Sequence, residues 1–292
     1  MQFLSYLING ISLGSVYALI ALGYTMVYGI AKMLNFAHGD VIMIGSYVIF
    51  FAFGSFGLNP IVSVLLSMVV CTILGVTMGR VAYRPLREAP SLAVLITAIG
   101  VSYLLQNLAT YLFTAIPKGY PEIPFLKRIF KIGDLSASLV TFITPVLTIV
   151  LVLLLMALIN HTKVGMAMRA VSKDFETSRL MGIKINTIIS ITFVIGSALA
   201  AVGSILYFTD RMSVTPFSGT LPGLKCFVAA VFGGIGSIPG AVVGGFVIGI
   251  CETLLVAMGY STFSDAFTFL LLIVMLLFRP TGLFGEKSTD KV

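Results

Sequence analysis

Few side chains in this chain of 292 residues could do chemistry, and most of them interrupt stretches that are otherwise aliphatic. Met33-Leu34-Asn35-Phe36-Ala37-His38-Gly39-Asp40 places an amide, an imidazole and a carboxylate within six residues, between two apolar runs. At membrane depth such groups must be paired or line a water-filled cavity. Asn35, His38 and Asp40 are therefore candidates for the wall of a path taken by a polar solute, and a plain interfacial turn is the other reading. Gln106 and Asn107 stand midway along another apolar run, and Glu252 within a third, with Asp265 near the outer end of the last. A carboxylate there is costly unless paired or hydrated, so Glu252 either faces the path or bonds a neighbouring helix. Walker-type nucleotide hydrolysis and metal chemistry leave no trace. No G-x4-GK[ST] or HExxH string is present, and two histidines, His38 and His161, cannot make a multi-histidine metal site. The expectation is a chain that is not an enzyme and holds no metal or cofactor. Cys71, Cys226 and Cys251 lie in apolar segments without CxxC spacing, as buried small hydrophobes do.

A second polar stretch, 160–184, has periodicity. Val164, Met168, Val171 and Phe175 recur at four- and three-residue spacing and share one helical face, while Arg169, Lys173, Glu176 and Arg179 lie off it. Gly182 follows where a helix C-cap belongs. The pattern predicts one short amphipathic helix over 165–181. It either lies at the membrane surface or docks into a groove on a partner.

The elements that must position these residues are membrane spans. The chain is 58% hydrophobic and 10% charged, with a mean hydropathy of +1.08. A soluble domain carries about 25% charged residues, so lipid is the solvent for most of this chain. About 20 apolar residues cross the hydrocarbon, which predicts spans near 5–29, 37–56, 60–80, 91–115, 138–159, 187–208, 221–237, 240–258 and 263–279. The first, with no Lys or Arg in residues 1–31, reads as a retained span rather than a cleaved signal. The fold class is all-α: a polytopic integral membrane protein of about 8–9 transmembrane helices with one or two broken or re-entrant segments. Residues 33–40 are one such break, and the Gly-rich joint 233–240 is the candidate for a second, as a tight hairpin or a re-entrant segment. Gly75-x3-Gly79, Gly240-x3-Gly244 and Gly245-x3-Gly249 offer close-packing faces, within the chain or between subunits.

Twelve of the eighteen basic residues fall on one side of this topology: Lys32, Arg80, Arg84, Arg87, Lys163, Arg169, Lys173, Arg179, Lys184, Arg279, Lys287 and Lys291. That side is expected to be cytoplasmic, with the C-terminus. Lys118, Lys127, Arg128, Lys131, Arg211 and Lys225 fall on the other. Nine spans put the N-terminus outside; a re-entrant break would move it inside. Topology accounts for the net charge of +7, and no nucleic-acid role is expected.

The chain resembles the permease subunits of the branched-chain amino-acid ABC importers, in particular the shorter of the two permeases. The likeness runs from about residue 5 to 285. It is carried by Ala21-Leu22-Gly23-Tyr24-Thr25-Met26-Val27-Tyr28-Gly29, Leu34-Asn35-Phe36-Ala37-His38-Gly39-Asp40 and Tyr83-Arg84-Pro85-Leu86-Arg87. Further on are Arg169-Ala170-Val171, Leu180-Met181-Gly182-Ile183, Phe193-Val194-Ile195-Gly196-Ser197-Ala198-Leu199-Ala200-Ala201 and Ala229-Ala230-Val231-Phe232-Gly233-Gly234. The resemblance implies a single transmembrane permease domain over 1–292 in the bacterial inner membrane, with 160–184 as a cytoplasmic coupling loop. It implies a second homologous permease, two cytoplasmic ATPase subunits that use the ATP, and a periplasmic substrate-binding protein. Importer permeases contact the ATPase through a loop often written E-A-A-x3-G. Here Glu176 and Gly182 keep the Glu and Gly spacing, and Thr177 and Ser178 replace both alanines. Docking is then the favoured reading of the amphipathic helix, with Met168, Arg169, Lys173, Phe175, Glu176, Arg179 and Gly182 as its residues. The alternatives are the same machine for urea, short amides or other neutral amino acids, a stand-alone channel or secondary transporter, and a scaffold with no path.

Overall fold

The computed structural model describes every residue except 1, 88, 124–125, 127–128, 133–134 and 286–292. Lys127, Arg128, Lys287 and Lys291, used above for orientation, lie outside the described residues. Eleven α-helices are present among those described: α1 (Gln2–Ala31), α2 (His38–Ile49), α3 (Pro60–Met78), α4 (Ser91–Phe113), α5 (Leu139–His161), α6 (Lys163–Lys173), α7 (Phe175–Leu180), α8 (Ile185–Arg211), α9 (Thr220–Gly233), α10 (Ile238–Ala257) and α11 (Ser264–Phe278). Wider π-helical turns extend α2 through Ser55 and α3 through Tyr83. Four short strands complete the connectors: β1 (Lys118–Gly119) pairs with β4 (Ser213–Val214), and β2 (Ile129–Ile132) with β3 (Leu135–Ser138), all antiparallel. The apolar periodicity that located the spans carried no signal for these strands.

Among the described residues, eight helices are long and apolar enough to cross a bilayer. The expected ninth span, α9, has 14 residues, about 21 Å against a hydrocarbon core of about 30 Å. Its lead-in completes the crossing. Residues 213–214 pair beyond the end of α4, the next residues descend to Gly219 against Gly39, and α9 runs on to the hairpin where Gly233 packs on Gly240. The 233–240 joint is therefore a tight hairpin, and the second break lies before α9, at 212–219. The C-terminal residues reach this same end: the Leu283 and Phe284 amides donate to the Phe232 and Gly233 carbonyls, and Gly236 packs on Gly29 near the end of α1. The two ends of the described chain thus lie at opposite ends of the bundle.

Helix α1 is apolar on every side and occupies the centre, with Tyr17, Leu19, Ile20 and Leu22 wholly buried. It runs antiparallel to α10 through glycines. Gly14 lies on Phe246, Gly245 on Ala18 and Gly249 on Gly14, while Gly75 on α3 makes room for Ser197 of α8. The small-residue motifs are spent on packing within the chain. In contrast, α5 presents Val146, Ile149, Val150, Leu153 and Leu154 outward, a face suited to lipid.

Candidate functional site

The first break begins at Lys32, which ends α1 with a left-handed φ of 56°. The chain then folds back into the bundle, so that Asn35, His38 and Asp40 are each at most 3% exposed. Irregular backbone at membrane depth is tolerated when protein covers it. The Tyr83 hydroxyl donates to Asn35 Oδ1 at 2.8 Å. The His38 ring meets Tyr24 edge-on at 4.6 Å and lies over Gly23, where a side chain would collide with it. Asp40 stands in the first turn of α2, where the helix dipole favours a carboxylate. Gln106 Nε2 reaches across from α4 to donate to Asp40 Oδ1 at 2.9 Å, and lies 3.0 Å from Ser102 Oγ and 3.3 Å from Thr220 Oγ1.

Thr220 opens α9, so the N-termini of two interrupted helices meet here. Nothing but backbone separates them. A Cβ on Gly223 would lie 2.7 Å from Gly39 Cα, and one on Gly39 2.6 Å from the Gly219 carbonyl oxygen. Discontinuous helices that point their positive ends at one place create a region receptive to anionic groups. Two buried polar atoms in the first turn of α2, His38 Nε2 and Asp40 Oδ2, have no hydrogen-bond partner among the described residues. Unsatisfied polar atoms of this kind are rare in a packed interior.

Of the six candidate path residues, four converge: Asn35, His38, Asp40 and Gln106. Asn107 does not join them. It lies on the exposed side of α4, and its amide donates to the Tyr103 carbonyl at 2.8 Å. Glu252 stands apart as well, 2.8 Å from Lys225 Nζ and 2.8 Å from the Tyr17 hydroxyl.

The other candidate surface lies at the end of the bundle where α1 finishes. The expected single helix is two, because Asp174 adopts an extended conformation and caps α7, accepting from the Glu176 and Thr177 amides. The Thr177 hydroxyl, the larger influence, and these amides hold the Asp174 carboxyl below its ordinary range. The apolar face forms as expected: Met168 and Val171 are buried, Val164 and Phe175 half-buried, and Arg169, Lys173, Glu176 and Arg179 exposed. Gly182 closes α7 with φ of 81°. The adjoining Leu180 and Met181 are 87% and 78% exposed. Phe175 shares a cleft of about 300 Å³ with Tyr28, Lys32, Met33, Leu34 and Arg87, so the start of α7 faces the segment that breaks α1 from α2 across this cleft.

Residues 6–277 match the family described as branched-chain amino acid transport system / permease component. The chain belongs to this permease family. It is 41% identical to the high-affinity branched-chain amino acid transport system permease protein BraD of Pseudomonas aeruginosa, over 100% of this chain and 98% of BraD. It is 40% identical to the corresponding permease LivH of Escherichia coli K12, with the same coverage. Among solved structures, PsaBC from Streptococcus pneumoniae in complex with Fab shares the fold, with a TM-score of 0.50 and 15% identity over 96% of this chain and 94% of that one.

Three features of the permease site escape sequence reading. The Gly219/Gly223 contact belongs to a helix too short to be told from a full span by hydropathy; Pro216 and Gly219 just before it carried the signal. Lys225, counted with the basic residues of the outer side, is 5% exposed inside α9. A lone Lys and a lone Glu in neighbouring spans were the sign of a pair. Tyr83, ending α3, anchors Asn35 from 48 residues away, a distance no local pattern covers.

Proposed function

We propose that this permease carries branched-chain amino acids inward across the bacterial inner membrane as half of an ATP-driven ABC importer. Residues 1–292 act as one transmembrane domain, and 160–184 as its cytoplasmic coupling loop. A second related permease completes the path, two cytoplasmic ATPases dock beneath, and a periplasmic binding protein delivers the substrate. ATP is used by the partner subunits, and no cofactor is needed in this chain. The C-terminus lies in the cytoplasm with α6 and α7, the side that the Lys and Arg distribution favours. Forty per cent identity along the full length to permeases named for branched-chain amino acids supports the substrate class.

The observation that carries the mechanism is the cleft shared by Phe175 and residues 31–34. An ATPase that moves the exposed face of α6–α7, through Arg169, Lys173, Glu176, Arg179 and the apolar Leu180 and Met181, moves the segment leading to Asn35, His38 and Asp40. The two half-helix N-termini then part at Gly39 and Gly223, exposing Asp40, Gln106 and the unpartnered His38 nitrogen to a zwitterionic solute. Affinity for that solute must differ between the closed and open states, or nothing is driven. The test is uptake of labelled leucine and of labelled urea in cells lacking this chain and in cells with it restored. Loss of leucine uptake on deletion, restored by wild type and not by a Glu176→Ala variant present in the membrane, is the expected result. Loss of urea uptake alone would overturn the substrate and keep the architecture.

A further inference from the structure

We infer that Lys225 is the positioning residue of the path: its paired ammonium holds half-helix α9 so that the glycine face of α9 closes on Gly39. The inference rests on the reading of the interrupted helices as the path. Gly219 and Gly223, four residues apart, share the face that meets α2. Lys225, two residues on, points about 200° around the same helix. Its Nζ lies 2.8 Å from Glu252 Oε1 on α10 and 2.6 Å from Asp265 Oδ1 at the start of α11. Glu252 in turn accepts from the Tyr17 hydroxyl of α1 through its second oxygen. One ammonium therefore ties α9 to two helices directly and to the central helix through Glu252.

The glycine face cannot do this by itself. One turn on, Phe227 adds ring contacts to Tyr24 at 5.9 Å and Phe36 at 5.2 Å, but these are apolar and non-directional, whereas the paired ammonium fixes the rotation of α9 from its opposite side. Charged groups this deep are retained in a membrane protein only when paired, and here both members of the buried pair are under a tenth exposed while Asp265 is half-exposed at 49%. The network thus joins the helix that carries the Gly39/Gly223 contact to the outer lip of the bundle, where a delivering protein would arrive.

The test uses three readouts on the complete transporter in proteoliposomes: leucine uptake, ATP hydrolysed per leucine taken up, and labelling of the native Cys226 by a maleimide. Cys226 is fully buried beside Lys225 on α9; Cys71→Ala and Cys251→Ala remove the other thiols of this chain, and labelling is read on this chain's band alone. Lys225→Met should keep assembly, lower uptake at least tenfold, raise ATP consumed per leucine at least threefold, and raise Cys226 labelling at least fivefold. Lys225→Arg should reverse all three. Asp265→Asn, which leaves the buried pair in place, should move each by a smaller factor of about two, and it decides the matter where Lys225→Met fails to assemble. Wild-type labelling and stoichiometry in both Lys225→Met and Asp265→Asn would overturn the inference. So would a loss of uptake that merely follows the amount of assembled protein and is not relieved by Lys225→Arg. The labelling readout needs no substrate, so a wild type that carries no leucine would refute the substrate reading while leaving this inference to stand or fall on Cys226.

Discussion

Gly223→Ala is the sharpest perturbation of the Gly39/Gly223 contact, the closed point of the proposed path. The added Cβ would stand 2.7 Å from Gly39 Cα, where carbon atoms in contact keep about 3.5–4.0 Å. The obstacle is backbone, so no rotamer change relieves it, and α9 must withdraw from α2 by about 1 Å. Overpacking of this kind costs about 1–3 kcal/mol. Because the strain falls on the closed contact and is released when the half-helices part, it shifts the closed-to-open balance by about 5- to 150-fold. The assay is leucine uptake and ATP hydrolysis in the reconstituted complex, with Gly100→Ala as control. Gly100 lies on the exposed side of α4 with nothing within 4 Å of an added Cβ, and Ala there should raise helix stability by about 0.5–1 kcal/mol. Uptake should fall at least about fivefold in Gly223→Ala with hydrolysis retained, and be unchanged in Gly100→Ala. Wild-type uptake in Gly223→Ala, or equal loss in both, would refute the reasoning.

Tyr83→Phe leaves Asn35 Oδ1 buried without its donor, and thermal unfolding in detergent should show a loss of about 1–3 kcal/mol. Leu180→Ala with Met181→Ala removes two exposed apolar side chains; ATPase association measured by co-purification should weaken at least about tenfold with the unfolding temperature unchanged. The Asp174 carboxyl, held below its ordinary value, stabilises α7 fully above the unfolded carboxylate pKa and loses that contribution as pH falls through the depressed folded value. Hydrogen exchange over 175–181, corrected for intrinsic rates, should therefore accelerate at about pH 3 relative to pH 7 in wild type, and Asp174→Ala should already exchange fast at pH 7.

The spans were legible because hydropathy is additive along a helix: α1, α3, α4, α5, α8, α10 and α11 lie within a few residues of their predicted limits, apart from the extension of α3 through Leu86. The break at 33–40 was legible because polar residues inside an apolar run demand an explanation. The amphipathic face of 164–175 emerged as its periodicity required, and its interruption did not, since Asp174 sits off the apolar stripe and acts through a local cap. Helix α9 hid as a full span because Leu221–Val231 is apolar enough to extend one. The meeting of Gly39 with Gly223, and of Lys225 with Glu252, depends on helices far apart in sequence, and no single-chain pattern reports such a contact. Asn107 shows the same limit from the other side: next to Gln106 in sequence, it faces about 100° away on α4 and leaves the cluster.

If movement at α6–α7, powered by ATP in partner subunits, opens the proposed path, uptake depends on ATP and not on an ion gradient. Leucine uptake measured in cells treated with a protonophore, and separately in cells depleted of ATP with the ion gradients maintained, tests it most directly. Uptake that survives the protonophore and stops on ATP depletion is the predicted result. Uptake that collapses with the gradient while ATP remains high would contradict it and make the chain a secondary transporter.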